Sequence, residues 1–163
     1  MKEQIKTVLP ALRRFALSLT GNLADADDLL QSTVERLLSK PIPSETEIAP
    51  WAFKVCRNLW IDQHRAAKVR QNATEKPELQ AGATFDNEAQ VTTLLKLREV
   101  EAAMKELPEE QRIVLSLVAV QGLSYKETAA ILGLPTGTIM SRLARARTKL
   151  AAQFDLDPSG AIA

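Results

Sequence analysis

An all-α fold of two small helical bundles joined by a flexible linker is predicted by three observations. Apolar residues recur at spacings of three and four almost throughout, and no window shows sustained Val/Ile/Thr alternation. Between the two periodic stretches, the run from about Asn72 to Glu88 is polar, lacks helical period and contains both Pro77 and Gly82.

The periodicity places helices near residues 3–20, 24–40, 50–70, 92–106, 108–121, 125–132 and 136–152. Gly21 and Asn22 break the first pair, and Pro41 and Pro43 stop the second helix. Pro50 suits the first turn of the third, where its missing N–H leaves no bond unmade. Pro108 repeats that device ahead of Glu109 and Glu110, whose charges favour a helix N-terminus. Ser124 and Glu127 stand at capping-box spacing. The division follows: a bundle over 1–71, a linker over 72–91, a second bundle over 92–155 and a tail over 156–163. Each bundle is small enough to be marginally stable alone.

Composition narrows the functional classes. The 163 residues carry 21 Lys plus Arg against 20 Asp plus Glu, a net charge of +1, which excludes binding nucleic acid through bulk charge. The charge is nevertheless segregated. Residues 136–150 hold Arg142, Arg145, Arg147 and Lys149 with no acid, and residues 22–35 hold Asp25, Asp27, Asp28 and Glu35 with no base. Opposite surfaces imply two kinds of partner. A lone Cys56 permits no intrachain disulfide and no cysteine-based zinc cluster, which fits a reducing compartment. The charged start and the lack of any run of about 18 apolar residues predict neither a signal peptide nor a membrane span, hence a cytoplasmic protein without membrane insertion.

Residues 123–150 read as a short capped helix, a turn centred on Gly133 and a longer basic helix, which is helix-turn-helix spacing. In the second helix Ile139, Leu143, Ala146 and Leu150 fall on one stripe and must pack inward. Thr138, Arg142, Arg145 and Lys149 lie on one flank, Met140 and Arg147 on the other, and Gly137, Ser141, Ala144 and Thr148 face outward. An ordinary solvated helix would carry long charged side chains on that outermost face. Here it is nearly bare, so the backbone can lie deep in a major groove while the flanking cations reach phosphates.

In the N-terminal half, Ala26, Leu29, Leu30, Thr33, Val34 and Leu37 share a face and leave Asp28, Gln31 and Glu35 on the far side. Spacing alone does not separate a plain solvated face from a docking stripe. In the third helix Trp51, Val55 and Leu59 lie on one side and Phe53, Cys56 and Trp60 on another. Lys54, Arg57, Arg65, Lys68 and Arg70 against Asp62 alone give residues 54–70 a charge of +4. Aromatics among cations are the composition of a single-strand platform, while core packing is the competing reading for both tryptophans.

The run Leu107-Pro108-Glu109, Gly122 to Glu127, Leu132 to Pro135, Gly137-Thr138-Ile139 and Ser141 to Arg147 resembles the C-terminal promoter-binding domain of the extracytoplasmic-function group of bacterial sigma-70 factors. Asp25 to Gln31 and Trp51 to Asp62 resemble two N-terminal segments of the same family, in family order. Ser32 stands where the family usually has Glu, Met140 where a base is frequent and Ala144 where a bulkier residue can sit; these departures bear on promoter sequence rather than role.

The resemblance implies that the bundles are sigma regions 2 and 4. Asp28, Gln31, Ser32 and Glu35 would dock on the clamp coiled coil of the largest subunit of core RNA polymerase. The third helix and the loop at about 43–49 would recognise the minus-ten element of promoter DNA through Arg57, Asn58, Trp60, Asp62 and Arg65. Thr138, Met140, Ser141, Arg142, Arg145, Arg147 and Lys149 would read the minus-thirty-five element. It further implies a monomer, a role in stress-responsive transcription initiation, association with the nucleoid when bound to polymerase, and control by an anti-sigma factor covering both halves. The competing class is a free-standing helix-turn-helix regulator whose N-terminal half dimerises or binds a ligand.

No catalytic constellation is expected. Asp62 and His64 sit two apart on a helix and point in different directions. One histidine and one cysteine leave no conventional zinc set, and neither a phosphate-binding glycine loop nor a nucleophile elbow is present. The expectation is no metal, no cofactor and no enzymatic activity, with Cys56 a buried structural residue.

Overall fold

Helix α1 (Lys2–Thr20) buries Ile5, Val8, Leu12, Phe15, Ala16 and Leu19, the stripe its three-and-four spacing requires. The computed structural model describes residues 2–73 and 99–154, and every regular element among the described residues is helical. Gly21 ends α1 with a positive φ of 79° that favours glycine, and its N–H donates to the carbonyl of Leu17 at 2.8 Å. Asn22 then caps α2 (Leu23–Ser39) by accepting from the Asp25 N–H. Helix α3 (Ile48–Ala73) carries Pro50 in its first turn, as expected, and runs a few residues further at both ends than its periodicity predicts. The three pack on one another, and Phe15 meets Phe53 edge to face at 5.3 Å.

The expected helix at 92–106 is described only as α4, residues 99–105. Helix α5 (Glu109–Leu115) starts after Pro108 and passes into a π-helical segment, Ser116–Val120, so the single helix expected over 108–121 changes its hydrogen-bonding register midway. Helix α6 (Tyr125–Leu132) has the complete reciprocal Ser124/Glu127 capping box, and Gly133 ends it at a φ of 66°. Helix α7 (Thr136–Phe154) closes the chain's described part. The predicted linker beyond residue 73 and the predicted tail lie outside the described residues.

The two halves share apolar core. Ala103, Met104, Leu107, Val114, Leu115, Ala129, Ile139, Leu143, Ala146 and Leu150 make the C-terminal cluster. Ile113, Leu117 and Ile131, however, join the cluster built on Leu12, Phe15, Leu19, Leu29, Phe53 and Trp60 of the N-terminal half. The reason is compositional: Ile113, Val114, Leu115 and Leu117 leave no polar side on this stretch, so it must be covered from two directions. No helix among the described residues is long and apolar enough to cross a membrane.

Candidate nucleic-acid interface and docking face

Helix α7 packs against α5 and α6 through Ile139, Leu143, Ala146, Leu150 and Ala151. That leaves Gly137, Ser141, Ala144 and Thr148 exposed on the outside, with Arg145 and Lys149 exposed beside them and Arg142 and Thr138 half-buried along the same flank. Met140 stands 52% exposed at the other edge. Arg147 departs from a free phosphate-seeking cation: it is half-buried, and its Nε is enclosed without a hydrogen-bond partner. The helix is held in presenting position by the capping box on α6, which also pulls the Glu127 carboxyl below its usual range through the Ser124 backbone N–H and hydroxyl. This arrangement can enter a groove backbone-first and engage phosphates from one side.

On α2, Ala26, Leu29, Thr33 and Leu37 are buried, with Leu30 and Val34 half-buried. Asp28, Gln31 and Glu35 are exposed on the opposite side, Ser32 is half-buried between them, and Gln31 donates to Glu35 at 3.3 Å. The acidic stripe therefore faces outward, opposite the buried side of the helix.

On α3, Asn58, Asp62 and Arg65 are exposed, and Arg57 is half-buried with its guanidinium pulled below its usual range by desolvation. Trp60 requires a correction. It is not an open stacking platform here: only 4% exposed, it stacks on His64 at 4.7 Å and lies under the Arg112 guanidinium at 5.3 Å. The physical reason is that α5 covers this side of α3. Trp51, by contrast, is half-buried at the edge of the core. Cys56 is fully buried, and burial pushes its thiol up to about 11 despite a hydrogen bond with Thr33.

Sequence reasoning missed Arg112. It is 5% exposed and sits in an apolar run, which is the one available signal, since a buried arginine needs partners. Its Nη1 donates to the Leu19 carbonyl at 3.0 Å, and its Nη2 donates to the carbonyls of Lys105 and Leu107. Beside it, Glu109 pairs with Arg65 at 3.4 Å and approaches His64 at 3.9 Å. Two clefts open along the seam between the halves. One, of about 580 Å³, is lined by Asp25, Asp28, His64, Lys68, Lys105 and Arg112 among others; the second, of about 400 Å³, lies between Trp51, Phe53, Leu123 and Ile131.

A helix-turn-helix with a bare outer face, fused to a second bundle bearing an exposed acidic stripe and a cation-rich helix, is the architecture of a DNA-binding protein with a second, oppositely charged surface. The comparisons with known proteins give that class its family. Residues 4–70 match Sigma-70 region 2 and residues 97–150 match Sigma-70, region 4. The chain is 36% identical over 159 residues to the ECF RNA polymerase sigma factor EcfG of Rhodopseudomonas palustris (strain TIE-1), covering 96% of this chain and 86% of that protein. It is 34% identical over 145 residues to the ECF RNA polymerase sigma factor SigM of Bacillus subtilis (strain 168), covering 87% of each. Among solved structures, the sigma factor RpoE from Bartonella quintana, crystallised with the anti-sigma factor NepR, superposes with a TM-score of 0.77 and 30% identity over 96% of this chain and 97% of that one. The chain belongs to the extracytoplasmic-function group of the sigma-70 family.

Proposed function

We infer that the protein binds core RNA polymerase, directs it to specific promoters and assists their melting, under the control of an anti-sigma factor. The observation that carries this reading is the pairing, in one chain, of the α7 reading face with a sigma region 2 bundle. A free-standing regulator is not favoured, because the N-terminal half matches Sigma-70 region 2 over residues 4–70.

Each surface takes one role. The stripe of Asp28, Gln31, Ser32 and Glu35 docks on the clamp coiled coil of polymerase, where exposed carboxylates suit a basic partner helix. Ser141, Arg142, Arg145 and Met140, with Thr138, read the minus-thirty-five duplex, and Lys149 and the terminal nitrogens of the half-buried Arg147 contact phosphate. Arg57, Asn58, Asp62 and Arg65 engage the minus-ten strand, and binding the opened strand stabilises melted DNA without covalent chemistry. The working form is a cytoplasmic monomer, and the anti-sigma factor acts by covering the Asp28 and Arg142 faces together.

Reconstitution with core polymerase on genomic DNA, followed by mapping of transcript starts, tests the reading; absence of directed initiation refutes it. On a promoter so mapped, Arg145→Ala is expected to cost about 1 to 3 kcal/mol of duplex binding and to relax discrimination at one position. Unchanged affinity and unchanged discrimination would remove Arg145 from the reading set.

A further inference from the structure

We propose that the outward side of α7 is divided lengthwise into a cationic half that hydrogen-bonds DNA and an apolar half, centred on Met140, that packs on the 5-methyl group of a thymine in the minus-thirty-five duplex. The proposal rests on the minus-thirty-five reading of α7 and names the chemical group that one side of the helix recognises.

The division follows from helical geometry. Measured round the helix from Ser141, Arg145, Thr138, Lys149 and Arg142 lie between about 40° and 100° on one side. Gly137, Ala144 and Met140 lie between about 40° and 100° on the other. The second group has almost nothing to offer a hydrogen bond. Gly137 and Ala144 are exposed and carry no polar side chain, and Met140 is 52% exposed with a thioether, a weak acceptor and no donor. Thr148, close to the dividing line, donates its hydroxyl to the carbonyl of Ala144 at 2.9 Å and so brings no free donor. A Cβ at Gly137 would meet nothing within 4 Å, which leaves Met140 the one large side chain on this side and the backbone beside it open to close approach. The core stripe of α7 is filled by Ile139 and Leu143, so the apolar surface of Met140 leaves water only when a partner covers it.

The chemistry of that partner follows from what a major groove displays. Guanine presents two acceptors, adenine an acceptor and a donor, and cytosine an amino donor. Each of these, set against Met140 and Ala144, would lose its water and gain no hydrogen bond. Thymine offers the one apolar group in the groove, its 5-methyl, which can be covered without leaving a polar group unpaired. A flexible, polarizable thioether is suited to filling the irregular space around such a methyl. The cationic half therefore reads hydrogen-bonding edges and phosphates, and the apolar half selects an A·T pair beside them, with thymine on the strand that faces Met140.

The test uses holoenzyme reconstituted with core polymerase on a promoter mapped by its transcript start. Each thymine of the minus-thirty-five element, on either strand, is replaced in turn by deoxyuridine, which deletes the 5-methyl and keeps the base pair. The expected result is a position at which deoxyuridine weakens competition binding about fourfold, the effect of one methyl withdrawn from water. Met140→Ala should bind the thymine promoter more weakly than the parent does and no longer distinguish it from the deoxyuridine promoter. Met140→Leu, apolar and of similar volume, should keep the distinction. Both replacements are good helix formers at an exposed site, and circular dichroism establishes that helicity is kept. An element in which no deoxyuridine matters, or one without an A·T pair, overturns the proposal. So does a deoxyuridine effect that persists undiminished in Met140→Ala. The minus-thirty-five reading fails separately: if a scrambled element binds the parent holoenzyme as well as the mapped one, that reading falls, whereas weakened binding to the scrambled element with no deoxyuridine effect removes the methyl contact alone.

Discussion

At the scale of single residues, burial decides which polar groups can act. Cys56 illustrates the rule, since it lies on a cation-rich helix and could be taken for a redox sensor. It is instead fully buried, with its thiol pushed up to about 11 by desolvation, so almost no thiolate forms near neutrality. Iodoacetamide at pH 8 is therefore expected to leave Cys56 unmodified in the folded protein and to alkylate it readily in denaturant, which mass spectrometry resolves. Rapid labelling of the folded chain would contradict the structural assignment. Reading this residue from sequence worked because Cys56 shares a helical face with Phe53 and Trp60. Arg112 escaped for the opposite reason: periodicity reports which side of a helix is apolar, not that a cation on the apolar side has found three carbonyls, two on other helices and one in the turn after α4. Trp60 was ambiguous in sequence because both readings require an aromatic there, and only the position of α5 separates them.

At the scale of elements, the helix-turn-helix was the most legible part because its geometry is written in local signals. The capping box, the left-handed Gly133 and the Ile139/Leu143/Ala146/Leu150 stripe each depend on residues within a few positions, and all three form as spaced. Ser124→Ala removes a side-chain acceptor from the Glu127 N–H and is expected to cost about 1 kcal/mol of stability, within the usual range for lost N-caps. Gly133→Ala adds a Cβ that meets open space, so its cost is backbone strain alone, about 1 to 2 kcal/mol. Denaturant unfolding measures both; a Gly133→Ala variant as stable as the parent would show that this turn tolerates a non-glycine residue. Promoter duplex affinity should fall with each, because these residues fix the angle at which α7 is presented. The π-helical passage at Ser116–Val120 was not legible. No local residue signal marks the change of register, and the stretch it occupies packs Leu117 into the N-terminal cluster just after Leu115 has joined the C-terminal one.

At the scale of the whole molecule, the linear reading gave two bundles, and the structure joins them through a seam whose apolar part is Leu117, Ile113 and Ile131 and whose polar part is Arg112, Glu109, His64 and Arg65. Sequence could not show this, because the contacts link residues such as Leu19 and Arg112 that are far apart along the chain. Leu117→Ala, at a site with no solvent exposure, is expected to cost about 2 to 5 kcal/mol and to lower the unfolding transition of both halves together. Separate transitions, with only the C-terminal one shifted, would show that the halves fold independently. The polar part makes the seam sensitive to acid. His64 is held below its ordinary value first by desolvation, then by the Arg112 charge and by Lys68, with Glu109 opposing them and Arg65 balanced against Glu109 close by. A histidine whose proton affinity is lowered on folding leaves the unfolded chain binding more protons, so stability is complete above the unfolded value of about 6.5 and falls as pH drops through the lower folded value. Acidification from pH 7 should therefore loosen the seam beyond what carboxylate titration causes at still lower pH, and it should do so by adding a second cation beside Arg112. In a Trp51→Phe background, which leaves Trp60 as the sole indole, acrylamide quenching of Trp60 is expected to rise between pH 7 and pH 5, and His64→Gln, which keeps a polar side chain but cannot charge, should flatten that rise. A rise that persists undiminished in His64→Gln would remove His64 as the source of the acid sensitivity.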